Sequence, residues 1–213
     1  MSNTLSAENV VSVLTEQANL LQHDPKSPTQ EWTRSMLGAL AKLGDSAGHC
    51  VDPISQAFSI EQLTGDSRVK RQEFLWDLAI SSWPRYSGIK DAGSQAVSYG
   101  FPHYFEETSS PELVLVAESE WGHYRDARAN GLAVLEDFAK LLAARCPLKV
   151  MIFSYHGGTD KASYFAFNEL VRYMKQLVDR STDDATYVFF GVAWNDEKPG
   201  FHPVVHRRQK PAQ

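Results

Sequence analysis

The sequence predicts an α/β protein: a three-layer sandwich in which a central mixed β-sheet is flanked by helices. Three observations point there. Apolar stretches of strand length, LVLVAESEW (113–121), LKVMIFSY (148–155) and TYVFFGVAW (186–194), alternate with longer segments whose apolar residues recur at helical spacing. The second of these runs is apolar at most positions, as in a strand buried on both faces. With 213 residues the chain is of single-domain length, enough to remove about 70% of its unfolded surface from water.

Taken in order, residues 6–21 place Val10, Val11, Leu14, Ala18 and Leu21 at helical spacing. The polar stretch QHDPKSPTQ interrupts the pattern. Ser27-Pro28 then sets up a second helix over 28–43, with Trp32, Met36, Leu37, Leu40 and Leu43 on one face and Gly44 as its stop. The segment 45–65 carries little periodicity and admits strand or loop. EFLWDLAISS (73–82) alternates Phe74, Trp76, Leu78 and Ile80 against Leu75, Asp77 and Ala79, which predicts a strand with Asp77 in its middle. Residues 83–112, punctuated by Pro84, Gly88, Gly93, Gly100, Pro102 and Pro111, predict a long, elaborated loop of the functional kind.

After the strand 113–121 comes a helix over about 125–146, with a stripe through Leu132, Leu135, Phe138, Leu141 and Leu142, ended by Pro147. The strand 148–155 follows, then a turn at His156-Gly157-Gly158, a helix over 161–179 and the strand TYVFFGVAW. VVHRRQKPAQ reads as a basic tail. The domain plan is an N-terminal helical extension (1–26), an α/β domain (27–196) with an insertion at 83–112, and a basic C-terminal tail (197–213).

A formal net charge of −5 offers no global attraction for nucleic acid, so any such contact needs local patches. Residues 1–21 are polar, with Glu8 and Glu16, and lack the basic start and apolar stretch of a signal peptide; no run is long enough to span a bilayer. The expected compartment is the cytoplasm, with no membrane partner. Cys50 and Cys146 show no CxxC spacing, which fits buried thiols in a reducing compartment. The seven histidines show no HxH or HExxH spacing, and no nucleophile elbow or nucleotide-binding glycine loop is present. His156 in SYHGG is accounted for as a turn residue.

Chemistry concentrates in the carboxylates. Alternation along a strand sends Glu118 and Glu120 to one face, while Leu113, Leu115, Ala117 and Ser119 take the other. Two carboxylates on one face at the end of an apolar run repel each other and lose hydration, which a cation, a shared proton or simple exposure must relieve. Asp77 is a third acid among large apolar residues. If the strands 73–82 and 113–121 are neighbours, Asp77, Glu118 and Glu120 converge on one point, and oxygen ligands of this kind suit magnesium or manganese.

An acid in one strand, a second strand ending in acid-x-acid, then a helix and an apolar strand resembles the PD-(D/E)XK nuclease superfamily, the restriction-endonuclease-like fold. The matching pieces are EFLWDL with Asp77, LVLVAESEW with Glu118 and Glu120, and LEDFAKLL followed by LKVMIF, all within 28–155. The resemblance implies a mixed-sheet core flanked by helices and magnesium-dependent hydrolysis of nucleic acid phosphodiesters. Asp77, Glu118 and Glu120 would be metal ligands, with Glu120 also a water-orienting base. The family's usual lysine is Glu120 here; Lys140, four residues after Glu136 beside the apolar stripe, matches the lysine that some members recruit from the following helix.

The separation between Asp77 and Glu118 is long for the family's hairpin, which leaves an insertion at 83–112 or Asp91 as the first acid. Glu31 resembles an extra acid of some members but is accounted for by the helix dipole, and Glu73 by a strand edge. Cations for nucleic acid, DNA first, are Arg68, Lys70, Arg71, Arg125, Arg128, His206, Arg207, Arg208 and Lys210; Trp83, Tyr86, Tyr99, Phe101, Tyr104 and Phe105 offer stacking faces. A protein partner for targeting and a homodimer are both admitted. Two alternatives stand beside nuclease activity: a degenerate, binding or regulatory protein of the same fold, and a glycoside hydrolase with acids about 5–10 Å apart.

Overall fold

The computed structural model describes residues 5–21, 29–53, 76–82, 112–121, 127–155, 160–193 and 200–208. It is an α/β structure. The elements are α1 (Ala7–Leu21), α2 (Thr29–Ser46), β1 (Cys50–Pro53), β2 (Leu78–Ser81), β3 (Leu113–Glu120), α3 (Ala127–Ala143), β4 (Leu148–Tyr155), α4 (Asp160–Arg180), β5 (Thr186–Ala193) and β6 (Gly200–Arg207).

The strands lie side by side in sequence order, β1-β2-β3-β4-β5-β6. β3, β4 and β5 run parallel, whereas β1, β2 and β6 join by antiparallel pairing. The parallel connections β3–α3–β4 and β4–α4–β5 step across the sheet in one direction. A right-handed crossover then puts α3 and α4 on the same face. Val134, Phe138 and Leu141 of α3 and Phe167, Val171, Met174 and Val178 of α4 pack there against Val116, Met151, Phe153, Tyr155, Tyr187 and Phe189. The opposite face, with Leu115, Ala117, Val150, Ile152, Val188 and Phe190, is covered by α1 and α2.

α1 is capped by Ser6, whose hydroxyl accepts from the Asn9 amide at 3.2 Å, and it buries Ala7, Val10, Leu14, Ala18 and Leu21 on one stripe. It packs on α2, β5 and β6, so it belongs to the core rather than forming an extension. α2 passes through the expected stop at Gly44, which is buried in its last turn, and ends two residues beyond it. The stop is Gly48, at φ 83°: the amides of His49 and Gly48 donate to the carbonyls of Gly44 and Asp45. That paired pattern needs a left-handed residue, which glycine adopts at little cost.

β4 is buried at every position, as its largely apolar run predicts. Its one charged residue, Lys149, is fully buried and pairs with Asp183 and with the Tyr187 hydroxyl at 3.1 Å. In α3 the buried stripe runs through Val134, Phe138 and Leu141; Leu132, expected on it, is 54% exposed. Residues 200–207, read from the sequence as the start of a tail, form the edge strand β6. Close packing of α4 on the sheet depends on Gly191 of β5, because a Cβ there would lie 2.3 Å from Cε2 of Phe167.

Candidate functional site

The acids and their cation come together where β2 begins and β3 ends, under α3. Leu78, the first residue of β2, pairs with Ala117, so the residue before it, Asp77, stands beside Glu118. Asp77 occupies a bend ahead of the strand and not its middle, since the described strand begins at Leu78. Its Oδ2 accepts from the backbone amide of Ser119 at 2.8 Å and from the Ser119 hydroxyl at 3.2 Å. The strand that carries Glu118 thereby holds the Asp77 carboxylate in place.

Glu118 lies on the face of β3 that looks toward α3, along with Val116, and is 1% exposed. Its Oε1 is buried without a hydrogen-bond partner. Its Oε2 faces Lys140 Nζ at 3.5 Å. Desolvation, then the charge of Asp77, pushes the Glu118 pKa up to about 8 against the partial relief from Lys140. Asp77 is raised in the same direction, again by burial, with the two Ser119 hydrogen bonds opposing the shift. These two crowded carboxylates, short of water, and the nearby Asp137 all face one positive charge.

That charge is anchored at both ends. Lys140 belongs to the last turn of α3, and its side chain runs back to Asp137, one turn earlier, with Nζ 2.7 Å from Oδ1. Its ammonium is only partly desolvated, which disfavours the charge, but Asp137 and Glu118 outweigh this and keep the pKa above the ordinary lysine value. Its backbone carbonyl also has a partner. The Ala144 amide closes on Leu141 instead, and the carbonyl of Lys140 accepts from the indole N–H of Trp76 at 3.2 Å. Trp76 thus docks the segment carrying Asp77 onto the helix end carrying Lys140.

Of the four residues singled out from the sequence, Asp77, Glu118 and Lys140 are therefore neighbours. Glu120 shares the α3-facing side of β3 with Glu118 at the half-buried strand end, opposite Phe153 of β4. Among the described residues, no group of three histidine, cysteine, aspartate or glutamate side chains is placed to hold a metal ion. The donor chemistry present still fits a hard cation, since magnesium takes one or two carboxylates and keeps several waters. Glu118 Oε1, buried and unpartnered, is the acceptor such an ion would satisfy.

Asp137, Ser119 and Trp76 were not legible as site residues. Of these, Asp137 carries a signal in the sequence, its i,i+3 spacing to Lys140 in LEDFAK. Glu31 is exposed in the first turn of α2. Glu73, Asp91, His156, the aromatic residues of 83–112, and Arg68, Lys70, Arg71, Arg125 and Lys210 lie outside the described residues. His206 and Arg207 sit on β6, where His206 pairs with Asp179 at 3.0 Å and Arg207 donates to the Thr186 hydroxyl at 2.6 Å.

The chain matches no family model, no curated protein and no solved structure. Among the described residues, no helix is long and apolar enough to cross a membrane.

Proposed function

We propose that the protein is a magnesium-dependent nuclease of restriction-endonuclease-like fold that hydrolyses nucleic acid phosphodiesters, with DNA as the first substrate to test and the cytoplasm as its compartment. One observation carries the reading: the buried carboxylate of Glu118, with an unpartnered oxygen, stands between Asp77 and the ammonium of Lys140. The succession α2–β1–β2–β3–α3–β4 around it supports the same reading, as does the free, buried thiol of Cys146 for a reducing compartment.

Asp77 and Glu118 are the residues that would hold the ion, with Glu120 next along the strand face. When bound, magnesium supplies Lewis-acid polarisation of a phosphoryl oxygen and a more acidic water. The chain's own groups do the rest. Ser119 fixes the Asp77 carboxylate, so one ligand is oriented before any ion arrives. Lys140 offers a positive charge beside Glu118, where it stabilises negative charge growing on a phosphate in the transition state. Glu120, two residues further on the same face, orients the attacking water or accepts its proton.

The test is incubation of the purified chain with single- and double-stranded DNA and RNA, in magnesium, in manganese and in EDTA. Metal-dependent cleavage is expected, with Glu118→Gln and Lys140→Ala each losing roughly a hundredfold. Equal cleavage by wild type and both variants would remove the assignment. A second reading keeps the fold as a binding or regulatory subunit with a degenerate centre. It draws on the lack, among the described residues, of a group of three such side chains placed to hold a metal ion. Under it, the chain takes up no magnesium and Glu118→Gln binds its partner as wild type does.

A further inference from the structure

We propose that Asp137 is the positioning residue for Lys140, holding its ammonium over Glu118 and out of bulk water. The inference rests on the nuclease reading for its catalytic meaning, but its geometry is independent of it. The side chain of Lys140 is 40% exposed and is free in principle to extend into solvent. An exposed lysine loses rotamer freedom when it is confined, so something must hold it.

Glu118 alone is a weak anchor. Its Oε2 stands 3.5 Å from Nζ, longer than a good charged hydrogen bond. Asp137 Oδ1 is at 2.7 Å, within that range, on a carboxylate only 19% exposed and one turn back along the same helix. Trp76 fixes the other end of the residue through its carbonyl. With Cα and Nζ both located, the stem between them has little freedom left.

The arrangement also leaves a donor to spare. An ammonium carries three protons, and Asp137 and Glu118 account for two acceptors. The third is what a substrate oxygen arriving beside Glu118 would receive. Asp137 itself need touch neither substrate nor ion; it acts through the lysine.

The first experiment reads position directly. The full-length chain is treated with a water-soluble amine-acylating ester, and modification of each lysine is followed by mass spectrometry. Asp137→Ala is expected to raise modification of Lys140 about threefold, the population change such a half-exposed ion pair commands, while Lys42 and Lys175 keep their wild-type rates. Glu118→Gln should raise it less, and Asp137→Asn, which keeps an acceptor, should fall between. An unchanged Lys140 rate in Asp137→Ala, or a larger rise in Glu118→Gln, would overturn the proposal.

The second experiment is a double-mutant cycle on metal-dependent cleavage. Asp137→Ala should lower kcat roughly tenfold with little change in KM, and should have no further effect once Lys140 is alanine. Additive losses would mean that Asp137 acts otherwise, and would overturn the proposal. A wild type that cleaves nothing would sink the nuclease reading, while the acylation result would still decide whether Asp137 places Lys140.

Discussion

Replacing Glu118 with glutamine tests the electrostatics of the site without any assumption about substrate. In the folded chain Glu118 titrates at about 8, against an ordinary value of 4.5, because burial removes its hydration and Asp77 crowds it. Between those values the folded protein holds a proton that the unfolded chain has released. Stability therefore falls as pH rises: the contribution of the neutral acid is fully present below 4.5 and is lost as pH passes through 8. One proton of difference corresponds to about 1.4 kcal/mol per pH unit.

From about pH 5.5 to 7.5 the wild type should thus lose about 2–3 kcal/mol of unfolding free energy through this group. Asp77, shifted in the same direction, contributes with the same sign above its ordinary value of 3.8. Glutamine keeps the size and stays neutral, so Glu118→Gln should flatten most of the slope and gain stability at the alkaline end. Urea unfolding followed by tryptophan fluorescence, in EDTA at several pH values, measures both slopes. Parallel slopes for wild type and variant would refute the claim that Glu118 is held protonated by its surroundings.

Three further outcomes are expected. Magnesium uptake near neutral pH should release about one proton from the wild type and none from Glu118→Gln, which calorimetry in two buffers of different ionisation heat would show; proton-free binding would argue against Glu118 as a ligand. Gly191→Ala should lose about 1–3 kcal/mol by overpacking, because its Cβ would stand 2.3 Å and 2.6 Å from the Phe167 ring and 3.2 Å from Tyr155. An unchanged melting temperature would contradict that packing. Lys149→Ala should cost about 3 kcal/mol by leaving Asp183 and the Tyr187 hydroxyl without their buried cation, and Lys149→Met, which keeps the stem but not the charge, should lose nearly as much; a much smaller loss for methionine in chemical denaturation would place the effect in packing.

How far the sequence could be read depended on how each element meets water. The parallel strands were legible because burial on both faces leaves largely apolar runs, and LKVMIFSY is buried at all its positions. β6 was not, because an edge strand with one wet side alternates: Pro203, Val205 and Arg207 are exposed, and the result resembles a basic tail. Strand-forming neighbours made Asp77 look like a mid-strand residue, although the hydrogen bonds from Ser119 that hold it in a bend depend on pairing with a segment some forty residues away. Lys140 was found from its place beside an apolar stripe. Glu136 and Asp137 both lie within about one helical turn of Lys140, and the placement of α3 against β3 selects Asp137.

The docking of α1 has a consequence for the order of events during biosynthesis. Val10, Leu14 and Ala18 leave the ribosome before part of the surface that receives them, since β5 and β6 are made well over a hundred residues later. Until those strands exist the helix can satisfy its stripe only in part, against α2 or a chaperone. Completion of that layer is a long-range event, and until it closes the apolar stripe of α1 is open to contacts with other chains.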